Sequence, residues 1–246
     1  LKFIIYYLQM KNITFEKYQG NGNDFVVIDS RGNDLYKNYK TNKSFDIKKI
    51  CNRQFGIGAD GVIFIDEPNE DNYAKMIIFN SDGSEAQMCG NGIRCLVEYL
   101  HINDSIKNKN IEYKIETKAG LKIAKYINEE ITVKMGVPIL DSQNIPTRIE
   151  KKINSVPTHN FIEKNFNNKG YAVGMGNPHL IFFVQDLDLI SLSILGPIFE
   201  KNELFPEKTN VHFCQILNRE NIKVKVWERG AGPTLACGTG ACAIHV

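Results

Sequence analysis

The chain has 246 residues, of which 43% are hydrophobic and 24% charged, the balance of a globular protein with a buried core. Its 30 basic and 28 acidic side chains leave a net charge of +2, so no electrostatic footprint indicates nucleic acid or an anionic membrane as a partner. The length fits one large domain or two domains of ordinary size.

The chain begins LKFIIYYLQM, an apolar run that is too short to span a bilayer and that no small-residue cleavage site follows. We therefore expect no secretory signal. We interpret Met10 as the native start and expect residues 1–9 to lie outside the native structure. Because no other segment is apolar enough to be transmembrane, the sequence predicts a cytoplasmic protein.

Strand-like patterns dominate the first half, where β-branched and apolar runs are punctuated by glycine, asparagine and aspartate. Strands are predicted over residues 12–18, 24–29, 61–66, 73–80, 111–118, 121–127 and 131–135. Helices are predicted over residues 45–54 and 89–102. Because the second of these helices is apolar on most sides, we expect strands to wrap around it.

Residues 136–160 contain three prolines and no clear period, which predicts a linker. A second strand-rich series follows it, over residues 170–175, 179–184, 209–217 and 222–228. The sequence therefore predicts an α+β protein of two strand-rich domains, residues 1–135 and residues 136–246.

Two short patterns occur once in each half, in the same order. Gly-x-Gly-Asn stands before a strand and ends at Asn23 and again at Asn177, an offset of 177 − 23 = 154 residues. Cys-Gly-x-Gly begins at Cys89 and again at Cys237, an offset of 237 − 89 = 148 residues. Glycine motifs of four residues are weak signals singly, but their shared order and similar offset indicate an internal duplication.

The sequence has six cysteines, no Cys-x-x-Cys and no histidine spacing typical of a metal site. Without a signal peptide, a chain of this size is expected to keep its thiols reduced. A cysteine in a helix is most often a small buried hydrophobic residue. We apply that interpretation to Cys51, Cys95, Cys214 and Cys242.

The interpretation as a buried hydrophobic residue fits Cys89 and Cys237 poorly, because both precede the same glycine-rich turn at the start of a predicted helix. Unpaired amides and the positive end of the helix dipole favour a thiolate there, and glycines let the backbone approach a bound carboxylate. Two such thiols on opposite faces of one carbon could remove a proton and supply another. The pair therefore predicts a racemase or epimerase.

The blocks YQGNGNDFVVID, FGIGADGV, FNSDGSEAQMCGNGIRC, GMGNPH, FPEKTNV and ERGAGPTLACGTGACA closely resemble diaminopimelate epimerase, in order from about Phe15 to the last residue. The resemblance implies two pseudo-symmetric domains, each a barrel-like layer of strands around a central helix, with the active site between them. It implies no cofactor and no metal, and the interconversion of LL- and meso-diaminopimelate for lysine and peptidoglycan synthesis. It also implies a homodimer when the chain is full-length.

By this resemblance Cys89 and Cys237 are the acid–base thiols, with Cys237 taking the proton and Cys89 donating it in the LL-to-meso direction. His179 and Glu228 match positions that tune the pKa of the thiols. The substrate-binding positions are Asn23, Asn80, Gly90, Asn91, Asn177, Asn210, Glu228, Arg229, Gly238 and Thr239. On the residues alone, the asparagines could equally be turn residues, and Glu228 and Arg229 a surface ion pair.

The chain departs from the family pattern at three places. Gly61 stands where some members have a substrate-contacting glutamine, and Pro233 where glutamate is frequent. The sequence ends at Val246, nine residues after Cys237, whereas family members continue, so we interpret the C-terminus as truncated.

Other functions remain open at this point. A proline or hydroxyproline racemase would share the two-thiol chemistry, although such enzymes typically have Cys-Gly-His-Gly where this chain has Asn91. A non-catalytic small-molecule binding protein would not need both thiols. A thiol oxidoreductase would cycle them through a disulfide.

Overall fold

The computed structural model describes residues 13–42, 46–104 and 110–246. The expectations about residues 1–9 and Met10 lie outside the described residues. Within those ranges no helix is both long and apolar enough to cross a membrane. The chain divides into two compact units, with the boundary between Lys134 and Met135.

The described residues of the first unit form one sheet and three helices. The strand order in the sheet is β1-β2-β3-β4-β6-β7-β8, and β5 pairs with β4. The elements are β1 Glu16–Gly20, β2 Asn23–Asp29, α1 Leu35–Asn42, α2 Ile47–Cys51, β3 Gly61–Asp66, β4 Ala74–Asn80, β5 Glu85–Ala86, α3 Gly90–Asn103, β6 Asn110–Thr117, β7 Gly120–Ile127 and β8 Glu130–Lys134. The predicted strands and the predicted central helix of this half are confirmed.

Helix α3 is the centre of this unit. Ile93, Leu96, Val97 and Leu100 are fully buried against side chains from the sheet. Alternate residues of the central strands point to opposite faces, so Val27 and Ile63 pack on the α3 side. Neighbouring strand residues pack in a second core with α2 on the other face. Burial on both faces explains why β2 and β3 are continuous apolar runs.

Two helices differ from the sequence prediction. The helix predicted over residues 45–54 is only the short α2. Helix α1 was not predicted, because its sequence LYKNYKTN has no apolar period. It is held through two tyrosines, since Tyr36 and Tyr39 both pack their rings on Phe64 of β3.

The second unit is a seven-stranded sheet of order β15-β14-β13-β12-β11-β10-β9, with two helices among the described residues. Its elements are β9 Lys152–Ile153, β10 Val156–Glu163, β11 Phe166–Gly174, β12 Pro178–Phe183, α4 Leu192–Glu200, β13 Asn210–Ile216, β14 Ile222–Glu228, β15 Gly232–Thr234 and α5 Gly238–Ile244. The four predicted strands of this half are confirmed.

The linker predicted over residues 136–160 is wrong over its last part, which forms the hairpin of β9 and β10. Asn154 and Ser155 make its two-residue turn with positive φ angles of 48° and 69°. Pro157 lies at the start of β10, opposite Lys152 in the short strand β9. A proline near the start of a strand breaks the sequence pattern without preventing the strand.

Helix α4 was also not predicted, because Gly196 and Pro197 interrupt its apolar residues. The helix nevertheless covers one face of the second sheet. Leu195 and Phe199 are buried with Phe182 and Phe213 in an aromatic core. Gly196 lies against Trp227 so closely that a Cβ atom there would be 2.5 Å from the indole ring.

The pairing pattern repeats between the units. The strand pairs β1–β2, β2–β3, β3–β4 and β4–β5 are antiparallel, parallel, antiparallel and antiparallel. The pairs β11–β12, β12–β13, β13–β14 and β14–β15 repeat that order. Each series then leads into a helix that starts after a cysteine, α3 and α5. The two units therefore share one folding pattern, as the duplication predicted.

Candidate active site

Cys89 is the N-cap residue of α3. Its backbone is extended, with φ −138° and ψ 121°, and its Sγ accepts a hydrogen bond of 3.4 Å from the amide of Gly92. Gly92 lies directly on the sheet, since a Cβ atom there would be 3.0 Å from Ile78 and 3.2 Å from Ile63. The close contact fixes the start of the helix and the thiol with it.

Cys237 caps α5 in the same way. Its φ and ψ are −127° and 112°, and its Sγ accepts a hydrogen bond of 3.4 Å from the amide of Gly240. The hydroxyl of Thr239 also lies 3.4 Å from this sulfur. A sulfur that accepts an amide hydrogen bond is in an environment that favours its thiolate form.

The first half-site consists of Cys89, Gly90, Asn91 and Asn23. Asn91 is buried and donates from its Nδ2 to Oδ1 of Asn23 at 2.6 Å. Asn21 donates in turn to Oδ1 of Asn91 at 3.1 Å. These amides join the turn before β2 to the first turn of α3, so the motif Gly-x-Gly-Asn and the motif Cys-Gly-x-Gly lie side by side.

Charged groups support this amide chain from behind. Asp60 accepts a hydrogen bond of 3.1 Å from Nδ2 of Asn23 and another from the amide of Asp24. Arg53 bridges the two carboxylates, with 2.7 Å contacts to Asp24 and to Asp60. The hydrogen bond from Arg53 is the main reason why the pKa of Asp24 lies well below its usual range, and Lys17 contributes.

Asn80 lies apart from that chain, at the exposed end of β4. Its Nδ2 donates to the hydroxyl of Ser84 at 3.0 Å. It is paired in the sheet with Gly61. A Cβ atom at Gly61 would lie 2.5 Å from the carbonyl oxygen of Phe79. A side chain at position 61 therefore requires the backbone of β4 to shift.

The second half-site consists of Cys237, Gly238, Thr239, Asn177 and His179. His179 lies in β12, where its Nε2 is 2.8 Å from Oδ1 of Asn177 and its Nδ1 is 2.9 Å from Nε2 of His212. Both histidines are fully buried. Burial lowers the pKa of His212 to about 3 and that of His179 well below its ordinary value, so both rings are neutral near pH 7.

A thiol and two imidazoles lie close enough together to hold a metal ion. One donor atom each of His179, His212 and Cys237 falls within 4.8 Å of the others. Both ring nitrogens of His179 are already hydrogen-bonded, however, one to Asn177 and one to His212. His212, His179 and Asn177 therefore form a buried chain of hydrogen bonds next to Cys237, which we call the relay.

Asn210, Glu228 and Arg229 meet at the strand ends beside this relay. Asn210 is buried, donates to the carbonyl of Pro178 at 2.9 Å, and accepts from the amide of Arg229 at 2.9 Å. The guanidinium of Arg229 donates to the carbonyl of Glu207 at 3.1 Å. Glu228 accepts a hydrogen bond of 2.6 Å from the hydroxyl of Thr234.

The other cysteines have a different character. Cys51, Cys95 and Cys214 are buried, as predicted. Cys242, in α5, is partly buried and packs against the hydrophobic core of the second unit. Burial raises the pKa of Cys51 to about 11 and those of Cys95 and Cys214 to about 12. These buried thiols are therefore protonated near neutral pH and are poor acid–base groups.

A family model for diaminopimelate epimerase matches residues 15–140 and 171–246. The chain belongs to the diaminopimelate epimerase family. A diaminopimelate epimerase of Prochlorococcus marinus NATL2A is 53% identical over 239 residues, which cover 96% of this chain and 83% of that protein. The one from Carboxydothermus hydrogenoformans is 47% identical over 233 residues, covering 94% and 82% of the two chains. Membership of this family makes the chain an isomerase.

Solved structures support the fold. A probable proline racemase from Agrobacterium radiobacter K84 has a TM-score of 0.65 at 15% identity, covering 95% of this chain and 76% of its own. A hydroxyproline epimerase from Agrobacterium vitis has a TM-score of 0.62 at 13% identity, covering 94% and 75%. At such low identity the likeness concerns architecture alone.

Several residues that shape the epimerase half-sites were not singled out from the sequence. Asp60 lies within the block FGIGADGV but was given no role, Arg53 lies just before that block, and Glu200 stands at the end of an unpredicted helix. Glu200 is buried and accepts hydrogen bonds from the Trp227 indole at 2.8 Å and from the Gly230 amide at 3.0 Å. His212 did carry a signal, because it lies two residues after Asn210 and thus on the same face of β13.

Proposed function

We propose that the chain interconverts LL- and meso-diaminopimelate by a two-thiol mechanism without a cofactor, in lysine and peptidoglycan precursor synthesis. The observation that carries the proposal is the repeated N-cap thiol. Cys89 and Cys237 each follow an equivalent series of strands, and each sulfur accepts a hydrogen bond from an amide of the helix that it caps. A relative that is 53% identical bears the name of this activity.

Inversion at a carbon needs one acid–base group on each of its faces. We assign Cys237 as the base and Cys89 as the acid in the LL-to-meso direction, with the roles exchanged in reverse. The two halves, residues 1–135 and 136–246, thus each supply one thiol. As the α-proton leaves, negative charge spreads onto the substrate carboxylate.

Backbone amides stabilise that charge in this mechanism. Gly90 and Asn91 supply them in the first half-site, and Gly238 and Thr239 in the second, each pair directly following a thiol. Donors fixed in place before the reaction stabilise developing charge without reorganising, which is why such groups lower a barrier. The side chains assigned to hold the substrate are Asn23, Asn80, Asn177, Asn210, Glu228 and Arg229, while His179 and Glu228 tune the thiols.

The test is proton exchange coupled to inversion. LL-diaminopimelate is incubated with the protein in deuterium oxide, and the stereoisomers and the deuterium at the α-carbon are measured together. The proposal predicts meso product that carries solvent deuterium at the inverted carbon. Exchange without inversion, or neither, would contradict the two-thiol assignment.

Substrate choice is tested at Arg229. A guanidinium can hold the distal carboxylate of diaminopimelate through two hydrogen bonds, and lysine lacks that planar fork. We expect Arg229→Lys to lower kcat/KM for diaminopimelate about tenfold, the size of one charge-assisted hydrogen bond. The matched control is Arg219→Lys, at an exposed arginine in the same unit. Efficient racemisation of proline by the wild type would overturn the assigned substrate.

We also propose that the active protein is a cytoplasmic homodimer with no nucleic-acid partner, as the family resemblance implies. Light scattering of the purified protein gives its mass in solution. A mass of one chain at assay concentration, together with full activity, would contradict the dimer.

A further inference from the structure

The duplicated sheets place different residues behind the two thiols. His179 pairs with Asn210 across the parallel strands β12 and β13, as Phe25 pairs with Gly61 across β2 and β3. Two residues further along, His212 therefore occupies the position that Ile63 has in the first unit. The glycines agree with this equivalence, since a Cβ atom at Gly92 would meet Ile63 and one at the corresponding Gly240 would meet His212.

The first unit shows that the fold does not require histidine at this position. Ile63 fills it with apolar side-chain atoms and is fully buried. His212 is equally buried, but its Nδ1 has no hydrogen-bond partner among the described residues. A buried polar atom without a partner destabilises a protein. A role in the site, not in the core, accounts for the histidine.

The hydrogen bonds determine which ring nitrogens carry protons. The amide oxygen of Asn177 is an acceptor, so the His179 Nε2 beside it is the donor. A neutral imidazole has a single N–H, which leaves Nδ1 of His179 as an acceptor. His212 must then donate from its Nε2 across the 2.9 Å contact. Every proton in the relay thus points from His212 towards Asn177.

We propose that His212 is a positioning residue that fixes His179 as its Nε2–H tautomer and thereby turns the amide oxygen of Asn177 inwards and its NH2 group towards bound substrate. The inference rests on the proposed function for the identity of that substrate. The tautomer of His179 does not depend on the proposed function. In the first unit Asn23 is held instead by Asp60, so no imidazole is needed there.

The direct test is the protonation of each ring nitrogen by NMR. Protein labelled with ¹⁵N-histidine gives separate signals for protonated and unprotonated ring nitrogens, assigned with the variants His179→Gln and His212→Gln. We expect both wild-type rings to carry hydrogen at Nε2 and none at Nδ1. Hydrogen at Nδ1 of His179 would overturn the proposal, whether or not the protein is active.

The second test separates positioning from packing. His212→Ile copies the first unit and removes the donor, whereas the side-chain amide of His212→Gln can still donate to His179. We expect His212→Ile to raise KM for diaminopimelate about tenfold, the size of one hydrogen bond, with a smaller effect on kcat. His212→Gln should keep the His179 tautomer and a KM near that of the wild type.

The control is His159→Gln, at an exposed histidine on β10 of the same unit. An unchanged His179 tautomer and KM in folded His212→Ile would refute the positioning role. If His212→Ile does not fold, the folded variant His212→Gln decides. Because its amide can still donate to His179, loss of the Nε2–H tautomer in that variant would also refute the positioning role. If no variant or wild type acts on diaminopimelate, the proposed function fails while the tautomer measurement still decides this inference.

Discussion

The two half-sites share a thiol and a helix start but differ in what lies behind them. Behind Cys237 are two buried imidazoles, His179 and His212, joined at 2.9 Å. The equivalent positions behind Cys89 are the buried apolar residues Phe25 and Ile63. The duplicated fold thus supplies two equal thiol positions, and the layer beneath them makes the thiols unequal.

The same comparison applies to the asparagines that precede β2 and β12. Asn23 is held by Asp60, whose partner Arg53 is largely exposed, so this support is charged and screened by solvent. Asn177 is held by a neutral pair of fully buried rings. One amide is therefore positioned by ion pairs near the surface, and the other by a relay that water cannot reach.

The largest expected effect removes a thiol from either half-site. Cys89→Ala and Cys237→Ala should each lower epimerisation by at least about 10²-fold, because general acid–base groups contribute about 10²–10⁴-fold and inversion needs both. The measurement is initial rates in both directions with each variant. Cys51→Ala, at a buried thiol on α2, is the control and should keep most of the activity.

Near-normal epimerisation by either alanine variant would show that the half-sites do not act as a pair. An unequal loss in the two directions would sharpen the comparison instead. It would show which thiol depends more on the groups behind it.

The residues that could be predicted from the sequence are those in local patterns. The continuous apolar run in GVIFID predicted β3 with both its ends, and the repeated Cys-Gly-x-Gly located both helix starts. Helix α4 and strand β10 were missed because Pro197 and Pro157 break the periods on which prediction depends. Both segments are held by tertiary contacts, α4 through its aromatic core and β10 through pairing with β11.

The support of the site was harder to predict than the thiols. Arg53 reaches Asp24 from 29 positions away, and His212 reaches His179 from 33. Pairings of that separation depend on strand register, which follows from the fold and not from any local motif. The parallel pairing of β12 with β13 is what brings the two histidines together.

The second prediction concerns pH and tests whether the buried relay is neutral. The folded pKa of His212 is lowered to about 3 by burial, and that of His179 is also well below 6.5. The unfolded chain therefore binds protons first as the pH falls below 6.5. The free energy of unfolding should fall with it, by at most about 1.4 kcal/mol per pH unit for each histidine.

Replacing the relay by its counterparts from the first unit should flatten this slope. His212→Ile, alone and with His179→Phe, is compared with wild type by urea unfolding between pH 7 and pH 5. Asp24 does not interfere in this window, because a carboxylate with a lowered folded pKa loses its stabilisation only below its unfolded value of about 3.9. An equal slope in wild type and variants would mean that the rings bind protons equally in the folded and unfolded chains.

The smallest expected effect loosens the charged support of the first half-site. Arg53→Gln removes the bridge between Asp24 and Asp60, so Asp60 holds Asn23 less firmly. Because Arg53 is 58% exposed, the loss in free energy of unfolding should stay within about 1 kcal/mol. We expect KM for diaminopimelate to rise only about threefold, and the rise to shrink in high salt as the ion pairs of the wild type are screened.

Arg31→Gln is the matched control for that variant. Arg31 also bridges two carboxylates of the first unit, Asp29 and Asp104, but is only 20% exposed and contacts no residue of the half-site through these bonds. It should therefore lower the free energy of unfolding more than Arg53→Gln does and leave KM unchanged. If Arg31→Gln raised KM as much as Arg53→Gln, the effect at Arg53 would reflect general loosening of the sheet and not the positioning of Asn23.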